Sequence, residues 1–579
     1  MHRLLQLVGS VAAVLLATTT SVTAGDSRCF PEDFLFGSAT ASYQVEGAVK
    51  EGGRTPSIWD QFCRERPEVK CANVADDFYH RYKDDIQLMA KTGLQSFISW
   101  SRVMNWDSAL HGMRPNPEGI AFYHSLIDEL NKNNIKPILT LYHWDLPLEL
   151  HTELSPQGWL NSDIVQHFAE YAMLMFHEYG SKVNLWTTFN EPLSFTTAGY
   201  ATGREAPGLT GSPTQVYAAT HNVLLSHARA VQLFRELKKS HVISEKAQVA
   251  IVLNADYAYP LDESNPADVE AASRKMEFDV GWFLSPIVSG DYPSVMREIV
   301  GDRLPRFSRD ETALLKGSYD LFMLNHYSTR AATDCDSSAS QTDCNKLAIG
   351  WQRDRGVDIS QTVPGTRPRS EKALKDSHCA SFTAYPPGYL ETIKWLHKHD
   401  TSADILLTEN GWCGDDEIDN PDQLWYFQAY LEQVHKAITE EHIPVIGYTA
   451  WSFLDNYEWG SYESRFGLYY VNYTSESGSP DFYEPKSSDL ARIPRPSAKW
   501  FQKVASSKCL NVDESSATTV ETPESAGHSH HVWRWLFSIV AIAAVGFAVV
   551  VVLVFFVGRR IWRHFRGHDG AANEGTPLL

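Results

Sequence analysis

Two glutamates are placed to do chemistry. Glu191 lies in Thr188-Phe189-Asn190-Glu191-Pro192 and Glu409 in Leu407-Thr408-Glu409-Asn410-Gly411. Each follows a short apolar run that reads as a buried strand, and each has an asparagine beside it. A carboxylic acid facing a carboxylate is what glycoside hydrolysis needs: one protonates the leaving oxygen, and the other attacks the sugar or activates water. A single glutamate at a strand end is ordinarily a surface or salt-bridged residue. Two of them, among strand ends that also carry His143-Trp144, Asn325-His326-Tyr327 and Trp451, point to a site. No Cys-x-x-Cys or close Cys/His grouping calls for a metal, and no Gly-x-Gly-x-x-Gly or Walker-type loop calls for a nucleotide cofactor.

Residues from distant parts of the chain meet only if regular elements carry them. The spacing of apolar residues from Ile164 to Tyr179 predicts a helix with one buried face, and Val183 to Phe189 then reads as a strand. The same order recurs at Gly119–Asn131 into Ile138–Tyr142, at Gly388–Lys398 into Ile405–Thr408 and at Leu424–Thr439 into Val445–Tyr448. Further apolar runs lie at Phe34–Gly37, Phe97–Trp100, Ala250–Leu253 and Leu321–Leu324. Eight strands with helical connections predict an α/β fold, a closed (β/α)8 barrel, although pattern alone also allows an open doubly wound sheet. In a barrel, the strand ends named above line one mouth, with strands four and seven facing each other across it.

Composition and the two ends set the surroundings. The chain has 579 residues, 43% of them hydrophobic, which suffices for a large core. A net charge of −20, from 51 Lys+Arg against 71 Asp+Glu, argues against a nucleic-acid partner. Seventeen Trp and twenty-five Tyr suit core packing first and the C–H faces of sugars second. Residues 1–24 read as a secretory signal peptide with cleavage before Gly25. Residues 511–535 read as a Ser/Thr/acidic stalk before the uncharged run 536–557, which is about 33 Å long as a helix at ~1.5 Å per residue. The arginines that follow it make 558–579 a cytoplasmic tail. The expectation is a single-pass type I membrane protein whose residues 25–510 fold outside the cytosol, with Asn472-Tyr473-Thr474 as a glycan acceptor. Eight Cys should then largely pair. Cys63 with Cys71 and Cys335 with Cys344 close short loops, and Cys29, Cys379, Cys413 and Cys509 are left unassigned.

From about Phe30 to Phe501 the chain resembles glycoside hydrolase family 1, the β-glucosidase family. The motifs that carry the resemblance are Phe34-Leu-Phe-Gly-Ser-Ala-Thr-Ala-Ser-Tyr-Gln44-Val-Glu46-Gly47, the two glutamate motifs, Trp451-Ser-Phe-Leu-Asp-Asn-Tyr-Glu458-Trp459, and Arg465-Phe466-Gly467. The resemblance implies Glu191 as general acid/base and Glu409 as nucleophile of a retaining double displacement, with carboxyl groups about 5–5.5 Å apart. It implies Gln44, His143, Asn190 and Glu458 as ligands of sugar hydroxyls, and Trp451 as the floor under the sugar. Trp144, Trp459 and Phe466 are implied as walls, and Tyr327, with Asn325 nearby, as the group that holds the nucleophile. On this reading the Tyr327 hydroxyl favours charge on Glu409, and that charge in turn raises the pKa of Glu191. No cofactor is implied; the partner is a β-glucoside or related β-glycoside.

Three departures accompany the resemblance, one of them a one-residue shortening between Trp459 and Phe466. The family's second strand carries an arginine that pairs with the nucleophile. Here Gly93-Leu-Gln-Ser-Phe97-Ile-Ser-Trp100 is about three residues short and contains no arginine. After strand six, 328–382 forms a long Ser/Asp-rich connection expected on the aglycone side. Two function classes follow: a membrane-anchored β-glycosidase with a lactase- or klotho-like layout, or a non-catalytic klotho-like carbohydrate-binding protein or co-receptor. Retention of both Glu191 and Glu409 favours the enzyme.

Overall fold

Aliphatic runs buried at every position, such as Ile138–Tyr142 and Ile405–Glu409, can be satisfied only by a parallel sheet covered by helices. In the computed structural model, which describes residues 28–90, 96–97, 100–473 and 490–511, eight strands meet this demand. They are β1 (Leu35–Ala39), β2 (Ser96–Phe97), β3 (Ile138–Tyr142), β4 (Leu185–Asn190), β5 (Gln248–Asn254), β6 (Phe322–Asn325), β7 (Ile405–Glu409) and β8 (Val445–Trp451). Their order is β1-β8-β7-β6-β5-β4-β3-β2, with every pairing parallel. Neighbours in sequence are neighbours in space, as a (β/α)8 barrel requires.

The strands alternate between two cores. Ile138, Leu185, Ala250, Val252, Met323 and Leu406 pack together inside the barrel, with Leu35 and Ile446 against them. Residues one step along, such as Trp186, Ile251, Ile405 and Leu407, join the larger core shared with the helices. Those helices include α1 (Pro117–Lys132), α2 (Ile164–Tyr179), α3 (Gln215–Lys239), α4 (Pro387–His397) and α5 (Pro421–Thr439). On α2 the buried face is Ile164, Phe168, Tyr171, Ala172, Met175, Phe176 and Tyr179, with Ala169 beside it, as the spacing predicts. Proline opens α1, α4 and α5, where its fixed φ suits a first turn and its missing N–H costs nothing.

The second strand departs from expectation. Among the described residues of this stretch, Ser96 and Phe97 pair with Leu139 and Thr140, and Trp100 opens a short helix, Trp100–Val103. Trp100 stacks on Tyr171 of α2, with ring centroids 4.8 Å apart. The long connection after β6 is also more ordered than its composition suggests. It contains a strand (Thr329–Asp334), a helix (Trp351–Arg355) and a turn of helix at Ser377–Ala380.

Four disulfides form. Cys63–Cys71 and Cys335–Cys344 are the expected short loops, and the remaining four cysteines pair as Cys29–Cys509 and Cys379–Cys413. They fit an oxidising compartment. Among the described residues no helix is long and apolar enough to cross a membrane. The signal segment 1–24, all but the first residue of the 511–535 stalk, the 536–557 run and the 558–579 tail lie outside the described residues.

Cys29–Cys509 joins positions 480 residues apart and so removes much of the freedom of the unfolded chain. Replacing both cysteines by serine should lower stability by about 3–5 kcal/mol. Urea unfolding reads this as a lower midpoint; an unchanged midpoint would mean that the backbone bridge Phe30 N–H to Lys508 O holds the ends by itself.

Candidate active site

Glu191 and Glu409 reach the barrel mouth because their strands break step just before them. On β4, Thr188 and Phe189 both face the helices: Thr188 bonds His227 of α3, and Phe189 stacks on Phe168 of α2. Two consecutive outward residues require a register shift, which occurs between Thr187 and Asn190. On β7 a shift between Leu407 and Glu409 does the same, since strict alternation would send Glu409 outward with Leu407. Glu191 then turns the chain with φ 46°, and Pro192 starts the helix Pro192–Tyr200. A non-glycine residue in this left-handed region costs about 1–3 kcal/mol, a cost typically found at functional sites. Trp144 (φ 74°) and Trp459 (φ 43°) share it. Gly411 is required for a different reason. A Cβ there would lie 1.9 Å from the Trp451 carbonyl oxygen.

All twelve residues singled out from the sequence line one cavity of about 360 Å³: Gln44, His143, Trp144, Asn190, Glu191, Asn325, Tyr327, Glu409, Trp451, Glu458, Trp459 and Phe466. At its inner end Gln44 donates to Asn456 Oδ1 and the Tyr457 carbonyl, which leaves its own buried Oε1 without a partner and free for a hydroxyl donor. The Trp451 indole N–H donates to Glu458 at 3.1 Å. Trp144 donates to the Asn190 carbonyl at 2.9 Å and stacks on Trp459 at 4.3 Å. His143 lies parallel to Trp451 and Trp459, and burial pushes its pKa down to about 3, so the ring is neutral. Tyr327, Phe382 and Phe466 make an edge-to-face cluster on the other side.

Asn325 stands between the two carboxyl-bearing strands. Its amide donates to Glu191 Oε1 at 2.8 Å and to Asn190 Oδ1 at 3.1 Å. The Asn325 carbonyl accepts from Thr408 at 2.6 Å, which fixes the amide's orientation. Ser194 donates to Glu191 Oε2 at 2.8 Å and is itself held by Asn254. Tyr327 donates to Glu409 Oε2 at 2.7 Å.

The electrostatic balance differs from the expected one in its causes. Burial pushes Glu191 up to about 7; the Asn325 and Ser194 donors oppose this, and Asp256 and Glu205 are the charges that add to it. Glu409 is also held well above the usual carboxyl range, by burial first and by Glu191 next. The Tyr327 hydroxyl works toward the charged form, as expected, but is outweighed. Glu409 Oε1 is buried without a hydrogen bond, and among the described residues no cation is paired with it. The next arginine along the chain, Arg102, is fully buried but committed to Glu46 at 2.8 Å.

Sequence reading missed the residues farther out: Ser194, Asn254, Asp256, Arg355, His378 and Phe382 also line the cavity. Only the length of the connection after β6 hinted at the last three.

Comparison with known proteins agrees with this geometry. Residues 26–510 match Glycosyl hydrolase family 1. Beta-glucosidase 32 of Arabidopsis thaliana is 38% identical over 82% of this chain and 88% of its own length. The furostanol glycoside 26-O-beta-glucosidase of Hellenia speciosa is 37% identical over 85% of each. The rice Os3BGlu6 β-glucosidase structure superposes with a TM-score of 0.72 at 34% identity, covering 82% of this chain and 98% of that one. The β-glucosidase of Trichoderma harzianum gives 0.73 at 34%, over 84% and 99%.

Ser194→Ala removes a donor that favours charge on Glu191 and should move its titration upward from about 7. Difference infrared titration of the carboxyl C=O band reads the shift; an unmoved titration would show that Ser194 contributes no more than the water replacing it.

Proposed function

The chain belongs to Glycosyl hydrolase family 1, and on that footing we propose that Glu191 is the general acid/base and Glu409 the nucleophile. The enzyme is a retaining β-glycosidase of the β-glucosidase type. The observation that carries the assignment of roles is the difference between two buried carboxyl groups at the ends of β4 and β7: Glu191, held by Asn325 and Ser194, is pushed up to about 7, and Glu409 accepts from Tyr327. Glu191, pushed up to about 7, keeps a proton for the leaving oxygen below neutrality. Glu409, bonded by Tyr327, attacks the anomeric carbon as the glycosidic bond breaks, and the aglycone leaves with the Glu191 proton. Glu191, now ionised, takes a proton from water, whose oxygen attacks the same carbon and releases Glu409. Two inversions give retention.

Gln44, His143, Asn190 and Glu458 are proposed to hold the hydroxyls of the non-reducing sugar, over Trp451 and between Trp144, Trp459 and Phe466. Glu458, buried at the inner end, suits an unphosphorylated sugar: ionised it would repel a phosphate, and in the neutral form that burial favours it offers no cation to receive one. For cellular placement we propose a type I anchor, supported by the signal-like residues 1–24, the uncharged run 536–557 and the basic residues after it. Partial exposure of Asn472 supports it as a glycan acceptor on that side.

Anomer-resolved NMR of the first product from 4-nitrophenyl β-glucoside should show the β sugar; the α anomer would overturn the roles. Glu191→Gln should be rescued by azide on a substrate with an activated leaving group, since the anion needs no general base, whereas Glu409→Gln should not. Identical behaviour of the two variants with azide would refute the division.

The pH profile follows from the two raised groups. The acid limb rises with Glu409 and the basic limb falls as pH passes about 7 with Glu191, so the active window is narrow. Inserting Arg-Phe-Ser after Phe97 should restore a cation near Glu409, lower the acid limb by about 1–3 units and raise kcat/KM. Equal profiles of the two proteins would show that the shortened strand costs nothing.

A further inference from the structure

Beyond Glu191 the cavity continues outward past residues that sugar binding leaves unused. Its outer wall holds three groups of ion pairs. Arg204 contacts Glu205 at 3.3 Å, Arg330 contacts Asp256 at 2.8 Å, and Asp279 is shared by Lys275 at 2.8 Å and Arg355 at 3.2 Å. All of these residues line the cavity. Four cations therefore face three carboxyls. One of those, Glu205, is held above the usual range by burial, against the pull of Arg204. The outer wall is thus positive, in a chain of net charge −20 and beside an inner end lined by three glutamates.

One unit of the surplus sits at Arg355. Burial works against charge on Asp279, yet Lys275 and Arg355 together hold it below the usual carboxyl range, so it is ionised and shared between two cations. Two cations around one carboxylate leave one unit of positive charge, the complement of a monoanion. Arg355 is 7% exposed, gives Nη1 to Asp279, and has a buried Nε with no hydrogen-bond partner. A buried donor without an acceptor costs about 1–3 kcal/mol, more where the group is charged. The guanidinium is nevertheless well held. It lies 4.6 Å from the centroid of the Trp351 ring, and the Arg355 carbonyl accepts from Arg274 Nε at 2.7 Å.

We propose that this outer end is a subsite for an aglycone that bears a carboxylate, received by the Arg355 guanidinium with Lys275 behind it, while Trp351 and Phe382 flank its apolar body. The planar guanidinium matches a carboxylate in shape as well as in sign. The proposal rests on the glycosidase reading of the same cavity and adds the class of substrate to it.

The test is binding of three S-linked β-glucosides to the full chain, measured by calorimetry: the 4-carboxyphenyl compound, its carboxamide and its methyl ester. The carboxylate should bind about tenfold tighter than either neutral analogue at low salt, and less so as salt rises. Arg355→Met should erase the difference and Arg355→Lys should retain part of it. Equal affinity of the unmodified protein for all three overturns the subsite, whatever the variants do. Tighter binding of a 4-phosphorylated analogue than of the carboxylate overturns the monoanion assignment. Turnover of 4-nitrophenyl β-glucoside, assayed alongside, keeps the two readings apart. Its absence with the charge preference intact counts against catalysis alone, and equal affinities with turnover intact count against the anion subsite alone.

Discussion

A carboxyl group taken out of water without a cation can stay ionised only if fixed dipoles replace the lost hydration. Glu191, Glu409 and Glu458 are all buried in one cavity, and their titration is governed first by that burial. The donors that answer them are the Asn325 amide, the Ser194 and Tyr327 hydroxyls and the Trp451 indole. Three of these four are in turn anchored: Asn325 by Thr408, Ser194 by Asn254, and the Trp451 backbone by its close approach to Gly411. The rest of the mouth follows from keeping these few dipoles aimed. Left-handed backbone at Trp144, Glu191 and Trp459 is part of that cost, and the barrel beneath supplies the stability to bear it.

The division of labour between strands and loops is sharp. The reacting carboxyls and Asn325 stand at strand ends, whereas the outer wall is built by the segments after β4, β5 and β6. Cys379–Cys413 ties the last of these segments to the loop that follows Glu409, and both cysteines pack against Trp451 and Phe466. The aromatic wall and the nucleophile loop are therefore covalently one body. Variation in the outer wall can alter the aglycone while leaving the chemistry untouched.

The second strand is where this chain gives up something the fold ordinarily provides. With no arginine in its sequence, β2 supplies no described counter-charge to Glu409. Arg102 cannot move in to help, because Glu46 accepts from it and from Tyr123 in a closed, buried group. Charge on Glu409 thus depends on neutral donors, and the neighbouring Glu191 carboxyl disfavours a second ionisation.

Much of this was legible in the residues themselves. Period-two and period-3.6 patterns are local and survive without tertiary information, so the eight runs, their helices and the two glutamate motifs could be read directly, and all twelve site residues share one cavity. Two cysteine pairs were legible because short loops leave little choice; the other two span 480 and 34 residues and had to wait for the fold. Strict alternation would also have pointed Glu409 outward with Leu407. The register shift that turns it into the mouth is a property of β7 against β6, not of either strand alone. The same holds for the charges. Asp256, Glu205, Lys275 and Arg355 carry no motif, and only the closing of a ring brings them into one cavity with Glu191. Pattern determined which elements form and which side chains could react, because both depend on neighbours in sequence; packing decided their aim, their protonation and what surrounds the leaving group, because those depend on neighbours in space.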